Sequence, residues 1–325
     1  MSDLLNNYTL EFEKPVRDLE NQIKELKEAT KKSDLDISKE VKALQSKVDT
    51  LMKEIYENLT PWERVQLSRH PNRPHAIDYI GNVITDFHEI SGDRFFADDA
   101  AIIAGFGYID GQKVAVVGIE KGRKTKEKVH HNFGMPRPEG YRKALRVMQM
   151  AGRFNIPVVT FVDTPGAYPG IGAEERGQAS AIAENLAELF DVKTPIISII
   201  IGEGGSGGAL GIAIADKVFM MEYSVYSVIS PESCASILWA DPKKAETAAN
   251  ALNLSPQKAL ELKVVDDMIK EPTGGAHKDP EATFETVKKM LTKEIKALLK
   301  MDKEKLMDAR FEKFRAMGNT TITEI

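Results

Sequence analysis

The chain has 325 residues, with 44 Lys and Arg against 49 Asp and Glu and a net charge of −5, so no global basic field asks for nucleic acid. Its one cysteine, Cys234, excludes a disulfide framework and any cysteine-rich zinc site built by this chain alone. The opening MSDLLNNYTLEFEKP is acidic and too short in apolar run for a signal peptide, and no stretch approaches the ~18 uninterrupted apolar residues of a membrane span, so a soluble cytoplasmic protein is expected.

From the N-terminus, Phe12, Val16, Leu19, Ile23 and Leu26 step by four and three, and Val41, Leu44, Val48, Leu51 and Ile55 by three and four. That is an a/d seam on each of two helices. The charged linker 30–38 is short enough to fold them into an antiparallel hairpin, which either packs on the main domain or serves a subunit contact. Residues 60–74, TPWERVQLSRHPNRP, form a proline-punctuated connector with Trp62, Val65 and Leu67 as a docking patch. Residues 76–90 read as a helix stopped by Ser91-Gly92. Residues 101–109 and 113–120 are β-branched and apolar, and the Asp110-Gly111 between them predicts a hairpin.

The run KGRKTKEK (121–128) is the one dense basic patch of the main domain. A solvated face explains it as charge statistics go, but it follows a core strand, where α/β ligand loops belong. His130 and His131 come next without a second ligand pair at metal spacing. Beyond residue 139 helix and strand alternate: a helix to 155, a buried strand 156–163, the loop TPGAYPGIG (164–172), a helix to 190 and an apolar strand from 196. A short strand 217–221, an extended piece 224–230 and helices starting near Pro231, Asp241 and Ser255 follow. Residues 281–315 are helical and charged, with Phe284, Val287, Leu291, Ile295 and Leu298 on one face, and form a packing arm. Asp163-Thr-Pro-Gly and Gly202-Glu-Gly-Gly therefore stand at the carboxyl ends of successive strands, the place of the ligand crevice in an open α/β sheet.

The stretch 195–215, PIISIIIGEGGSGGALGIAIA, reads as strand, glycine turn, helix. Such a junction offers unpaired backbone N–H groups and the positive end of a helix, an anion or oxyanion site made of backbone alone. Gly202, Gly204 and Gly207 satisfy the dinucleotide pattern G-x-G-x-x-G, with Glu222 near the ribose-acid position, yet the run follows at least three strands instead of opening a first βα unit. Gly204, Ser206 and Gly208 satisfy the nucleophile-elbow pattern G-x-S-x-G, with Asp266 and His277 in hydrolase order, yet the crevice loops hold no histidine. No Lys-Ser or Lys-Thr ends the run as a P-loop would. A scaffold that uses the glycines only to pack helix on sheet is a further reading.

Taken together, KGRKTKEK, HNFGMPRPEGYRKALR, FVDTPGAYPGIGAEERGQ, IIIGEGGSGGAL, YSVISPESCASILW and EPTGGAH, in this order, resemble the carboxyltransferase α subunits of bacterial-type multisubunit acetyl-coenzyme A carboxylases. The resemblance extends from the N-terminal hairpin to about residue 315. It implies an α/β, crotonase-like (ClpP-type) spiral of ββα units, divided into an N-terminal hairpin and connector (1–75), a carboxyltransferase core (76–275) and a C-terminal helical arm (276–325). It also implies transfer of a carboxyl group from carboxybiotin on a biotin carboxyl carrier protein to acetyl-coenzyme A, giving malonyl-coenzyme A, or to another acyl-coenzyme A such as propionyl-coenzyme A. The implied partners are a zinc-ribbon β subunit, in an α2β2 assembly, and biotin carboxylase in a larger complex; the zinc belongs to the β subunit and no metal to this chain.

In the reaction proposed for this family the substrate itself supplies the base, because biotin that has lost its carboxyl group can take the proton from the acetyl methyl. The protein then has only to stabilise oxyanions, often the largest single catalytic contribution. Carried onto this sequence, the motif places the biotin oxyanion hole on the backbone N–H groups of Gly207 and Gly208, with Gly204 and Gly205 allowing the tight turn. Gly166, Ala167 and Tyr168 form the facing wall, and Lys121, Arg123, Lys124 and Lys126 contact anionic parts of substrate or partner. Ser206 is a small loop residue in this reading.

Overall fold

The computed structural model describes residues 8–30 and 37–318, so the linker of the expected hairpin lies, at 31–36, outside the described residues. The hairpin's helices are α1 (Lys14–Thr30) and α2 (Ser38–Glu57). Val16, Ile23 and Val48 are buried between them, flanked by Leu19, Val41, Leu44, Leu51 and Ile55, so the two seams do meet. They meet antiparallel, since the Tyr56 hydroxyl at the end of α2 donates to Glu13 just before α1. The hairpin docks on the rest of the molecule where Tyr56 and Leu59 pack with Leu10, Leu67 and Tyr223.

The connector contains a helix the sequence reading left out, α3 (Pro61–Ser68). Its start is a capping box: Thr60 Oγ1 accepts the Glu63 N–H, and the Glu63 carboxylate accepts the Thr60 N–H. Val65 and Leu67 are both fully buried, but in separate clusters, Val65 with Val225, Ala249 and Leu254 and Leu67 with Tyr56 and Tyr223. The helix expected over 76–90 is shorter, α4 (Ala76–Val83), and is followed by an edge strand, β1 (Thr85–Glu89). The reason lies elsewhere in the chain: β2 (Ile102–Ile109) offers an open edge, and β1 pairs antiparallel with it from Thr85↔Tyr108 to Glu89↔Gly105. Sheet pairing overrides a local pattern that is compatible with helix.

β2 and β3 (Gln112–Ile119) form the predicted hairpin, with positive φ at both Asp110 (45°) and Gly111 (78°) as its turn requires. Next come α5 (Thr125–His130), α6 (Pro138–Phe154), β4 (Val158–Thr164), α7 (Ile171–Glu175), α8 (Gln178–Glu188), β5 (Ile196–Gly205) and α9 (Ser206–Ala213). The chain continues through β6 (Lys217–Met221), β7 (Val225–Ser227), α10 (Pro231–Trp239), α11 (Ala245–Leu252), α12 (Pro256–Glu261) and a strand missed on the sequence, β8 (Asp267–Ile269). The C-terminal region is two helices, α13 (Pro280–Leu298) and α14 (Lys303–Arg315).

The strands form one sheet in the order β1-β2-β3-β4-β5-β6-β8, antiparallel through β3 and parallel beyond it, with β7 added along the end of β5. Alternate residues of its strands enter opposite cores. On one face Ala115, Val117, Val158, Val162, Ile196 and Ile200 pack against α6, α8 and α9. On the other Val114, Val116, Val159, Phe161, Ile197 and Ile199 pack against α4 and α13, whose Phe284, Val287, Leu291, Ile295 and Leu298 are the face read from the sequence. The period of two along each strand thus builds a three-layer core. Among the described residues, no helix is long and apolar enough to cross a membrane.

The last helix is held by charge. Arg310 is buried, and its guanidinium bonds both oxygens of Asp216 (2.9 and 2.7 Å) and the carbonyls of Leu189, Val192 and Thr194. Asp216 also accepts the Ile196 N–H at 2.7 Å, so one carboxylate joins α14 to the first residue of the central strand. Asp216→Ala leaves a buried guanidinium without its counter-charge and should lower the unfolding free energy by ~3–5 kcal/mol. Urea denaturation measures this, and a loss below about 1 kcal/mol would contradict the anchoring role.

Candidate functional site

The parallel strands β3, β4 and β5 end side by side, and the loops leaving them build the site. The glycine run differs from the expected turn. β5 does not stop at Ile201 but runs extended to Gly205, because its last residues pair with β7 (Glu203↔Val225, Gly204↔Tyr226, Gly205↔Ser227). Gly204 and Gly205 therefore provide room, not a turn: a Cβ on Gly205 would lie 2.3 Å from the Pro165 carbonyl oxygen. The direction changes at Ser206, which is exposed and has φ of 52°.

Gly207 and Gly208 lie in the first turn of α9, where a helix supplies no acceptor for its own N–H groups. Among the described residues neither amide donates to a backbone carbonyl outside the helix. Gly207 is half-exposed and Gly208 buried. A Cβ on Gly208 would sit 2.4 Å from the Gly166 carbonyl carbon and 2.6 Å from the Ala167 nitrogen, so the loop after β4 lies directly along the helix start. Gly166 has φ of 153°, and its N–H donates to Thr164 Oγ1 at 3.0 Å. Tyr168 continues this wall, its N–H on the Pro136 carbonyl (3.0 Å), its carbonyl accepting from Gln178 (3.0 Å) and its ring beneath the Arg137 guanidinium. From behind, the Tyr141 hydroxyl donates to the Gly208 carbonyl at 3.2 Å, and Asn185 donates to the carbonyls of Tyr141 and Gly211. Neither Tyr141 nor Asn185 stands out on the sequence, since each looks like an ordinary helical residue until α6, α8 and α9 pack together.

The basic run does not act as one patch. Lys121 turns inward, its ammonium 2.6 Å from Asp163 Oδ1 and 3.2 Å from Glu203 Oε2. Arg69, unremarked on the sequence, holds Glu203 Oε1 at 2.6 Å and Glu232 at 2.6 Å. Burial by itself would raise the Glu203 carboxyl, but the Lys121 and Arg69 charges more than offset it and hold it below the usual range. Burial would likewise lower Lys121; Asp163 and Glu203 reverse this and keep it charged. Arg123 forks onto Asp78 (3.0 and 2.5 Å), while Lys124 and Lys126 are exposed at the start of α5. Of Lys121, Arg123, Lys124 and Lys126, expected to contact anionic parts of substrate or partner, the first two are thus paired with carboxylates of this chain and the last two are exposed.

The side chains needed by the other readings of the glycine run are scattered. Asp266 accepts from the Val218 N–H and from Lys313, and His277 stacks on His70 with ring centroids 3.8 Å apart, so no Ser206 triad is assembled. Glu222 accepts from Lys270 and from the Glu271 N–H. Among the described residues, no group of three or more His, Cys, Asp or Glu side chains is placed to hold a metal ion.

Residues 9–318 match the family model described as "Acetyl co-enzyme A carboxylase carboxyltransferase-like". The chain belongs to that family. It is 52% identical over 315 residues to the acetyl-coenzyme A carboxylase carboxyl transferase subunit alpha of Geobacter metallireducens, covering 97% of this chain and 99% of the relative. It is also 52% identical to the subunit of the same name from Thermus thermophilus, covering 95% of this chain and 98% of the relative. Among solved structures it resembles the transcarboxylase 12S core (TM-score 0.54, 22% identity, 68% of this chain and 42% of that one). It also resembles a chain of a Pseudomonas malonate decarboxylase hetero-tetramer (TM-score 0.54, 14% identity, 66% of this chain and 85% of that one). These likenesses establish the crotonase-like carboxyltransferase fold that the sequence resemblance implied.

The His70–His277 stack borders the site, His70 sharing a cavity of about 210 Å³ with Arg69, Lys121, Asp163 and Glu203. Burial pushes His70 down to about 4; burial, and then the charges of His70, Lys278 and Arg73, push His277 down to about 2. The unfolded chain, with ordinary histidines near 6.5, therefore binds more protons than the folded one in acid. Stability is full above about pH 6.5 and should fall as pH drops from there toward 4. Urea midpoints between pH 7.5 and 5 should show this slope, and His277→Gln should flatten it; an unchanged slope would remove the stack as its source.

Proposed function

We propose that this chain is the α half of a carboxyltransferase that moves a carboxyl group from carboxybiotin, borne on a separate carrier protein, to acetyl-coenzyme A, forming malonyl-coenzyme A. The observation that supports this most directly is the pair of Gly207 and Gly208 amides at the mouth of α9, which among the described residues donate to no backbone carbonyl outside the helix and lie beside a wall of Gly166, Ala167 and Tyr168. Backbone donors alone suit a reaction whose base arrives with the substrate, while His70 and His75 line the neighbouring cavity with Lys121, Asp163 and Glu203.

Carboxybiotin, when bound, supplies the carboxyl group and, in the ureido nitrogen it leaves behind, the base for the acyl methyl proton. The chain's own part is electrostatic. The two amides donate to the ureido oxygen where negative charge develops, and preorganised donors of this kind are worth ~3–4 kcal/mol each. The start of α9 adds the positive end of a helix. The loop 164–168 bounds the mouth and keeps water from the carboxyl group in transit. The acyl thioester is held by a zinc-ribbon β subunit, the two chains forming an α2β2 assembly served by the carrier protein and biotin carboxylase. In this reading the core 76–275 carries the chemistry, while 1–75 and 276–325 support it and the assembly.

Gly208→Val places side-chain atoms into the Gly166–Ala167 backbone and should reduce malonyl-coenzyme A formation at least ~100-fold in the complex reconstituted with the β subunit. Ser206→Ala should stay within about threefold of the parent, because Asp266 and His277, the candidate partners of that hydroxyl, are engaged elsewhere. Product analysis with acetyl- and propionyl-coenzyme A offered together reads substrate choice in the same assay. Parent-like turnover in Gly208→Val would overturn the assignment, and abolition in Ser206→Ala would return the hydroxyl to consideration as nucleophile.

A further inference from the structure

On the sequence Lys121 belongs to a basic run that faces substrate; in the fold it faces a defect in the sheet. β4 and β5 stay in register from Val158↔Ile196 to Val162↔Ile200 and then resume at Thr164↔Gly204. β4 advances two residues where β5 advances four, so Asp163 alone stands opposite residues 201–203. A bulge of this kind leaves backbone groups without ladder partners. Here the Asp163 side chain fills the gap, its Oδ1 accepting the Glu203 N–H at 2.8 Å. A Cβ on Gly202 would be 2.6 Å from that same oxygen, so glycine is needed for the carboxylate to reach.

Lys121 completes the arrangement. Its ammonium sits 2.6 Å from Asp163 Oδ1 and 3.2 Å from Glu203 Oε2, and its stem passes so close to Gly134 that a Cβ there would lie 2.5 Å from Lys121 Cγ. One cation therefore ties together the carboxyl ends of β3, β4 and β5 just before the chain diverges into the 164–168 wall and the Gly207–Gly208 helix start. Arg69 takes the remaining Glu203 oxygen and is itself held by Glu232.

We propose that Lys121, Asp163 and Glu203 form a clamp that sets the offset between the Gly207 and Gly208 amides and the Gly166–Ala167 wall, so that Lys121 is a positioning residue and not a substrate contact. This rests on the oxyanion reading of those amides. The Gly208 position sits in contact with the wall, so any shift of β5 against β4 displaces the donors directly. Without the ammonium, the Asp163 and Glu203 carboxylates face each other. The other charged or titratable groups around them are Arg69 and Arg73 from the connector, with His70, His75 and Lys128 lining the same cavity and Glu232 beyond Arg69. Among the described residues only Lys121 bridges the pair.

The test uses the complex with the β subunit. Lys121→Met should lower kcat ~100-fold, the scale of a misplaced catalytic group, with KM for acyl-coenzyme A within about twofold of the parent. Adding Asp163→Asn, which removes that charge and retains an acceptor for the Glu203 N–H, should recover at least tenfold of the lost kcat. Lys121→Gln carries the same comparison if the Met variant does not accumulate as folded complex, judged by near-ultraviolet circular dichroism and gel filtration.

A double variant no faster than Lys121→Met, or a raised KM with unchanged kcat, would make Lys121 a substrate contact and end the proposal. Gly208→Val is assayed alongside to separate the two layers. If it retains activity, the oxyanion reading falls whatever the clamp variants do. If it is inactive and Asp163→Asn fails to rescue, the clamp alone is wrong.

Discussion

The break in the β4–β5 ladder at Asp163 is the constraint on which the site depends. Two parallel strands in perfect register would deliver their following loops at matching heights, each repeating the spacing of the strands themselves. Because β5 gains two residues over β4 at this point, its glycines run past the end of β4 and can take a new partner, β7. The helix start then arrives above the 164–168 loop, close enough that only a residue without Cβ fits at Gly208. A buried carboxylate and a half-buried lysine stabilise an irregularity that hydrogen-bonded sheet by itself would resist.

Buried ion pairs recur at the other joints of the molecule. Arg73 reaches the Ile201 carbonyl, the last position before the glycines, and forks onto Glu271, which also accepts the N–H groups of Tyr223 and Ala276. Arg310 does the same for the loops around β5 and β6. Arg310 collects carbonyls from the segment leading into β5, and Arg73 takes the Ile201 carbonyl where the β4–β5 ladder breaks. The apolar layers hold sheet and helices together, while these cations specify where the irregular segments cross. Connector, glycine strand and C-terminal helices are thereby one mechanical unit around the site.

A site built from peptide groups has a chemical consequence. Amide donors do not titrate in the physiological range and need no reorganisation as charge develops, which suits stabilisation of an oxyanion and not proton transfer. In the adjoining cavity Lys121, Asp163, Glu203 and Arg69 are paired with one another. In the proposed reading, proton chemistry comes from the reactants.

What the residues determine locally was legible from the sequence alone. The a/d seams of the hairpin, the Asp110-Gly111 turn, the apolar face of α13 and the strand–glycine–helix junction all rest on periodicity or on a backbone conformation that few residues allow. The family was legible too, because its blocks are long and ordered along the chain. What only the tertiary structure decided depends on residues distant in sequence. Thr85 became strand because β2 had an open edge; Gly204 and Gly205 stayed extended because β7 was available; and Lys121 turned inward because Asp163 and Glu203 met there. A lysine in a basic run looks the same on paper whether it faces solvent or a carboxylate forty or eighty residues away, since a charge has no period and its partner is chosen by the fold.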